Sequence, residues 1–141
     1  MTPVTEKQFM PWQDSWLVGI QAIDVQHKHL VTLVNQLHDA MKKGQGRQAT
    51  GAVLNSLVEY TKAHFSTEER LLQLNGYPEF LAHKMEHERL TTKVVNYQKS
   101  WDAGEIALSV ELLSFLSDWL RSHILGVDKK YVPHLQSKGV K

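Results

Sequence analysis

The 141-residue chain has no cysteine. That absence excludes disulfide frameworks, thiolate nucleophiles, zinc fingers and cysteine-ligated iron–sulfur clusters together. No stretch is apolar for anything near 18 residues, so no membrane span is expected. The opening MTPVTEKQFMPW holds no apolar run of signal-peptide length, and a cytoplasmic protein is the expectation. Charge of one sign is also lacking. Lys and Arg number 16 against 15 Asp and Glu, and the basic residues are scattered. A concentrated basic face is absent, so neither nucleic acid nor a membrane surface is an expected partner. Strand alternation, internal repeats and low-complexity segments are missing as well.

What is present is helical periodicity and histidine, eight of them. After an irregular first twenty residues, four helical patterns follow. The first runs from about Ile20 to Lys43, with Ile20, Ile23, Leu30, Val34, Leu37 and Met41 on its stripe, and Gly-Gln-Gly at 44–46 stops it. The second runs from about Arg47 to Leu74, with Leu54, Leu57, Leu71 and Leu72 facing inward. Asn75-Gly76-Tyr77-Pro78 ends it and restarts the chain. In the third, from near Pro78, Phe80, Leu90, Val94, Tyr97 and Trp101 keep a 3–4 alternation. The fourth runs from about Ala107 past His123, and Pro133 limits its extension. Short loops make each helix antiparallel to the one before. The expected fold is all-α: an up-down-up-down four-helix bundle with an irregular N-terminal arm. It forms one domain over residues 1–141, the arm about 1–19 and the bundle about 20–132. Trp12 and Trp16 in the arm are expected to cap the bundle.

Each apolar stripe is interrupted by residues that suit a metal. His27 lies between Ile23 and Leu30, His64 and Glu68 between Leu57 and Leu71, and His83 and His87 between Phe80 and Leu90. His123 continues the Trp119 row, with Asp128 five residues on. The pairs 64/68 and 83/87 are about 40° apart around a helix, so each projects from one side. These positions fall near the start of helix one, the end of two, the start of three and the end of four. In an alternating bundle those are one end of the molecule, where five imidazoles and two carboxylates converge. A single buried His is usually a hydrogen-bonded core residue. Five unpaired imidazoles in one apolar layer would carry a large desolvation cost that a metal removes. Carboxylates and imidazoles without thiolate suit iron, manganese, nickel or zinc, and seven side chains suit two ions better than one. His29 is about 200° around the helix from His27 and should face solvent. His38 is roughly 16 Å away along the axis, and His134 lies in the tail.

The stretches Asp24-Val-Gln-His27, His64-Phe-Ser-Thr-Glu68, His83-Lys-Met-Glu-His87 and His123-Ile-Leu-Gly-Val-Asp128 resemble, in order and spacing, the single-domain bacterial hemerythrins. The resemblance implies two iron ions per chain with a bridging oxide or hydroxide. One iron would take His83, His87 and His123, the other His27 and His64, with Glu68 and Asp128 bridging both. Six donors saturate the first iron and five leave the second one place short, where O2 would bind. The implied function is reversible dioxygen binding for oxygen transport, storage or delivery, without catalysis and with any oxygen-using partner enzyme unknown. The alternatives are a di-iron oxidase or peroxidase, or an oxygen or redox sensor acting through a separate partner. Leu30, Trp119, Leu120 and Leu125 are the candidate apolar oxygen pocket. His123 and Asp128 are separated by about 140° on a regular helix, so a local departure between them is expected, eased by Gly126.

Overall fold

The computed structural model describes residues 9–42, 47–104, 110–123 and 128–141. Four long helices carry the chain: α1 (Gln21–Lys42), α2 (Arg47–Leu74), α3 (Phe80–Asp102) and α4 (Val110–Ser122). A 3₁₀ turn, Asp128–Tyr131, leads into a short α5 (Val132–Ser137). No strand occurs among the described residues. Helix α1 packs against α2 and α4, and α2 packs against α3. The α3–α4 seam carries Tyr97 against Phe115, ring centroids 5.3 Å apart, with the Lys93 ammonium 4.5 Å over the Phe115 ring.

Most of the stripe residues read from the sequence are buried, while Met41, Leu71, Phe80 and Tyr97 are half-buried against them. Ile23, Leu30, Val34 and Leu37 of α1 are buried, as are Leu54, Leu57 and Leu72 of α2 and Leu90, Val94 and Trp101 of α3. The end of α2 is set by Gly76, whose φ of +64° is open to glycine and strained for other residues. The Tyr77 amide donates to the Leu72 carbonyl at 2.9 Å, closing the six-residue loop of a Schellman cap.

The apolar interior falls into two clusters. The larger holds Leu30, Leu57, Val58, Phe65, Leu90 and Trp119, and the smaller holds Ile23, Leu72, Tyr131 and Leu135. On α1, α2 and α3 the sequence passes from one cluster to the other through histidine. Ile23 is followed by His27 and then Leu30; Leu57 by His64 and Glu68 and then Leu72. A polar layer therefore cuts the core.

The arm takes a different course from the expected cap. It lies along α1: Phe9 stacks on His38 at 4.7 Å, and Lys28 sits 5.5 Å over Trp12. Asn35 holds Met10 by two bonds, accepting from the Met10 amide at 2.7 Å and donating to its carbonyl at 2.8 Å. Asp24 accepts from the Val18 and Gly19 amides at 2.7 and 3.2 Å. Asn35→Ala strands both Met10 groups in a buried site. The expected cost is about 1–3 kcal/mol of stability, read as a lower thermal midpoint.

Pro133 starts a helix where the sequence suggested a limit. It sits in the first turn of α5, where a missing amide hydrogen costs nothing. His134 then ties the tail back to the α2–α3 turn, its Nε2 donating to the Asn75 carbonyl at 2.6 Å.

Candidate metal centre

The polar layer contains His27, His64, Glu68, His83, His87, His123 and Asp128, none more than 5% exposed. The helices supply them as their stripes dictate: His27 from α1, His64 and Glu68 from α2, His83 and His87 from α3. The expected departure between His123 and Asp128 is visible at both of its ends. The α-helix stops at Ser122, His123 lies in a wider π-type turn, and Asp128 opens a 3₁₀ turn. Gly126, expected to ease it, lies outside the described residues.

The donor atoms form two overlapping groups. His27, His64, Glu68, His123 and Asp128 make one; Glu68, His83, His87 and Asp128 make the other, with the donor atoms of each within 4.8 Å of one another. Both carboxylates belong to both groups. Asp128 turns Oδ2 to His27 and His123, at 2.6 and 2.8 Å, and Oδ1 toward His83 at 3.5 Å. Glu68 Oε1 meets His123, His64 and His87 at 3.0, 3.1 and 3.3 Å. His123 stands between the groups, its ring 5.4 Å from His64 and 5.3 Å from His87.

Burial decides the charge of these side chains. It lowers the imidazole of His27, with His64 beside it, to about 2, and that of His83 to about 4; it lowers His64 too. Neutral rings of this kind present a lone pair. Burial would also lower His123, yet Asp128 and Glu68 lift it to about 10. Burial would raise Glu68, but His64 and His123 hold it well below the usual carboxylate range. Asp128, buried beside Glu68, is held well above that range.

These residues fit metal ions on the structure's own terms. His83 Nε2, His87 Nε2 and Asp128 Oδ1 are buried without a hydrogen-bond partner among the described residues. Lone pairs left so inside a core are costly unless a cation takes them. The set is nitrogen and oxygen only, which suits iron, manganese, nickel or zinc.

Residues 18–135 match the family model described as the hemerythrin HHE cation binding domain. The chain belongs to the hemerythrin family. The bacteriohemerythrin of Stenotrophomonas maltophilia is 40% identical over 126 residues, 89% of this chain and 81% of that protein. That of Pseudomonas aeruginosa is 43% identical over 121 residues, 86% of this chain and 78% of that protein. A crystal structure of wild-type hemerythrin superposes with a TM-score of 0.85 at 38% identity, covering 90% of this chain and 98% of that one. Membership in the hemerythrin family makes this a non-haem iron and dioxygen-binding class of protein. No described helix is long and apolar enough to cross a membrane.

Around the centre, three side chains act that the sequence did not single out. Tyr131 donates its hydroxyl to Glu68 Oε2 at 2.6 Å. The Gln26 carbonyl oxygen lies 2.7 Å from His64 Nδ1, and Glu69 Oε2 lies 3.1 Å from His87 Nδ1. Tyr131 had a signal, one helical turn beyond Asp128. Gln26 and Glu69 had none, because each reaches across to a different helix. Of the candidate oxygen pocket, Leu30 and Leu120 are fully buried in the larger cluster, and Trp119 stacks beside His123 at 5.8 Å. Leu125 lies outside the described residues. His29 is exposed, as expected, against Tyr60 at 4.2 Å.

Proposed function

We propose that this chain binds dioxygen reversibly at a two-iron centre, for oxygen transport, storage or delivery. The observation that carries the reading is the pair of shared, fully buried carboxylates between two sets of imidazoles. His27 and His64 would hold one iron; His83, His87 and His123 would hold the other. Glu68 and Asp128 would serve both, together with one bridging oxide or hydroxide. Two ferrous ions would supply the two electrons on which reversible oxygen binding depends.

The protein's own part is positioning and exclusion. Three of the imidazoles are kept neutral by burial, so their lone pairs are available at neutral pH. Asp128 turns Oδ2 to His27 and His123 and Oδ1 to His83, and Tyr131 fixes the far oxygen of Glu68. Leu30 and Leu120, with Trp119 over His123, keep bulk water from the ring edges. Binding without catalysis is the function proposed. A location in the cytoplasm accords with this role.

The test is an absorption spectrum of reduced, iron-loaded protein before air, after air, and after oxygen is removed. A visible band that appears and then disappears is expected, with two iron ions per chain. A band that never reverses points to an oxidase or peroxidase, and a spectrum that never changes overturns the iron reading.

A further inference from the structure

We infer that Glu69 is a positioning residue for the iron held by His87, acting through the hydrogen bond behind that ring. The inference rests on the two-iron reading above. Glu69 directly follows Glu68 on α2, yet the two carboxylates face different ways. Glu68 is fully buried inside the centre, whereas the Glu69 side chain is 23% exposed and reaches α3 from outside it. Its Oε2 accepts from His87 Nδ1 at 3.1 Å.

The rest of the His87 environment makes that bond decisive. Phe65 lies flat on the ring, centroids 3.8 Å apart and planes 5° from parallel. Stacking fixes the plane of the imidazole but leaves it free to flip within that plane. The Glu69 bond chooses between the two orientations. It places the ring proton on Nδ1 and leaves the Nε2 lone pair toward Glu68 Oε1, 3.3 Å away. That same Nε2 has no hydrogen-bond partner among the described residues.

The five imidazoles are not served alike. His64 has a neutral amide, Gln26, behind its Nδ1, and the Nδ1 atoms of His27 and His123 have no partner among the described residues. Among the described residues, His87 alone of the five has a carboxylate hydrogen-bonded to its outer nitrogen. A carboxylate there draws the ring proton outward and strengthens Nε2 as a donor. A stronger donor with a negative charge behind it favours the more highly charged ferric state. Glu69 thereby makes the two iron positions unequal in a way the seven donors alone do not. It also lines a crevice of about 430 Å³ with Lys62, Glu88 and Thr92, so its charge stands at the solvent boundary.

Glu69→Ala and Glu69→Gln separate orientation from charge. Iron affinity is measured by competition with a chelator, and the midpoint potential by spectroelectrochemical titration, with helix content by circular dichroism as the control. Loss of such an outer partner typically costs about 10–100-fold in metal affinity, and that loss is expected for Glu69→Ala. Glu69→Gln keeps an acceptor and loses the charge. It should recover most of the affinity while its midpoint potential rises above that of the wild type. The inference is overturned if Glu69→Ala holds iron within about twofold of wild type, since the outer partner would then contribute less than expected. It is overturned equally if both variants are weak at an unshifted potential. Wild-type protein that takes up no iron overturns the two-iron reading and this inference with it.

Discussion

Glu68→Gln is expected to leave a folded bundle that no longer holds two iron ions. The replacement keeps the volume of the side chain, which is buried, and keeps an oxygen for the Tyr131 hydroxyl, 2.6 Å away. What it removes is the negative charge shared by both donor groups, with three imidazole nitrogens within 3.3 Å of Oε1. Loss of an outer hydrogen-bond partner already costs a metal site about 10–100-fold, so loss of a shared ligand should exceed about 100-fold for at least one ion. Iron per chain after gel filtration should fall below two, with helix content unchanged by circular dichroism. Two ions retained at wild-type affinity would remove Glu68 from the centre.

The bundle and the donor set were legible because they obey one rule. A helix buries one face, so any residue on its stripe must be apolar or must have a partner inside. His27, His64, His83, His87 and His123 break that pattern at one level, and the break shows in the sequence without any coordinates. The end of α2 was legible for a similar local reason, since Gly76 supplies a positive φ that few residues tolerate. Contacts between elements were not legible. Asn35 on the α1 stripe looks like a defect until the Met10 backbone is placed beside it, and the arm then runs along α1 instead of over its end. Glu69 looks like a solvated neighbour of Glu68 until α3 brings His87 within reach. The departure after His123 was deducible only backwards, from the need for Asp128 to face inward. Pro133 suggests a limit in the sequence because a proline stops one helix and starts another with equal ease, and only the preceding turn decides which.

Iron-free protein should lose stability as pH falls from 7 to 5. The ordinary imidazole value is 6.5, and in the folded chain burial holds His27 at about 2 and His83 at about 4, and lowers His64. Below 6.5 the unfolded chain takes up protons that these rings refuse in the native chain. A lowered imidazole therefore favours the native state above 6.5 and works against it as pH falls. Asp128 opposes this, because burial and the adjacent Glu68 let the native state keep a proton that the unfolded chain gives up above its usual 3.8. The lowered imidazoles outnumber Asp128, so the balance favours unfolding as pH falls, at about 1.4 kcal/mol per pH unit for each net proton. His123 does not alter the acid side. Its value of about 10 adds stability that is fully present below 6.5 and disappears as pH rises through 10. Typical domain stabilities are about 5–15 kcal/mol, so even one net proton taken up on unfolding is a measurable share of the total by pH 5. Thermal unfolding of chelator-treated protein at pH 7, 6 and 5 measures it. A midpoint at pH 5 equal to or above that at pH 7 would show that the imidazoles do not sit neutral in the core.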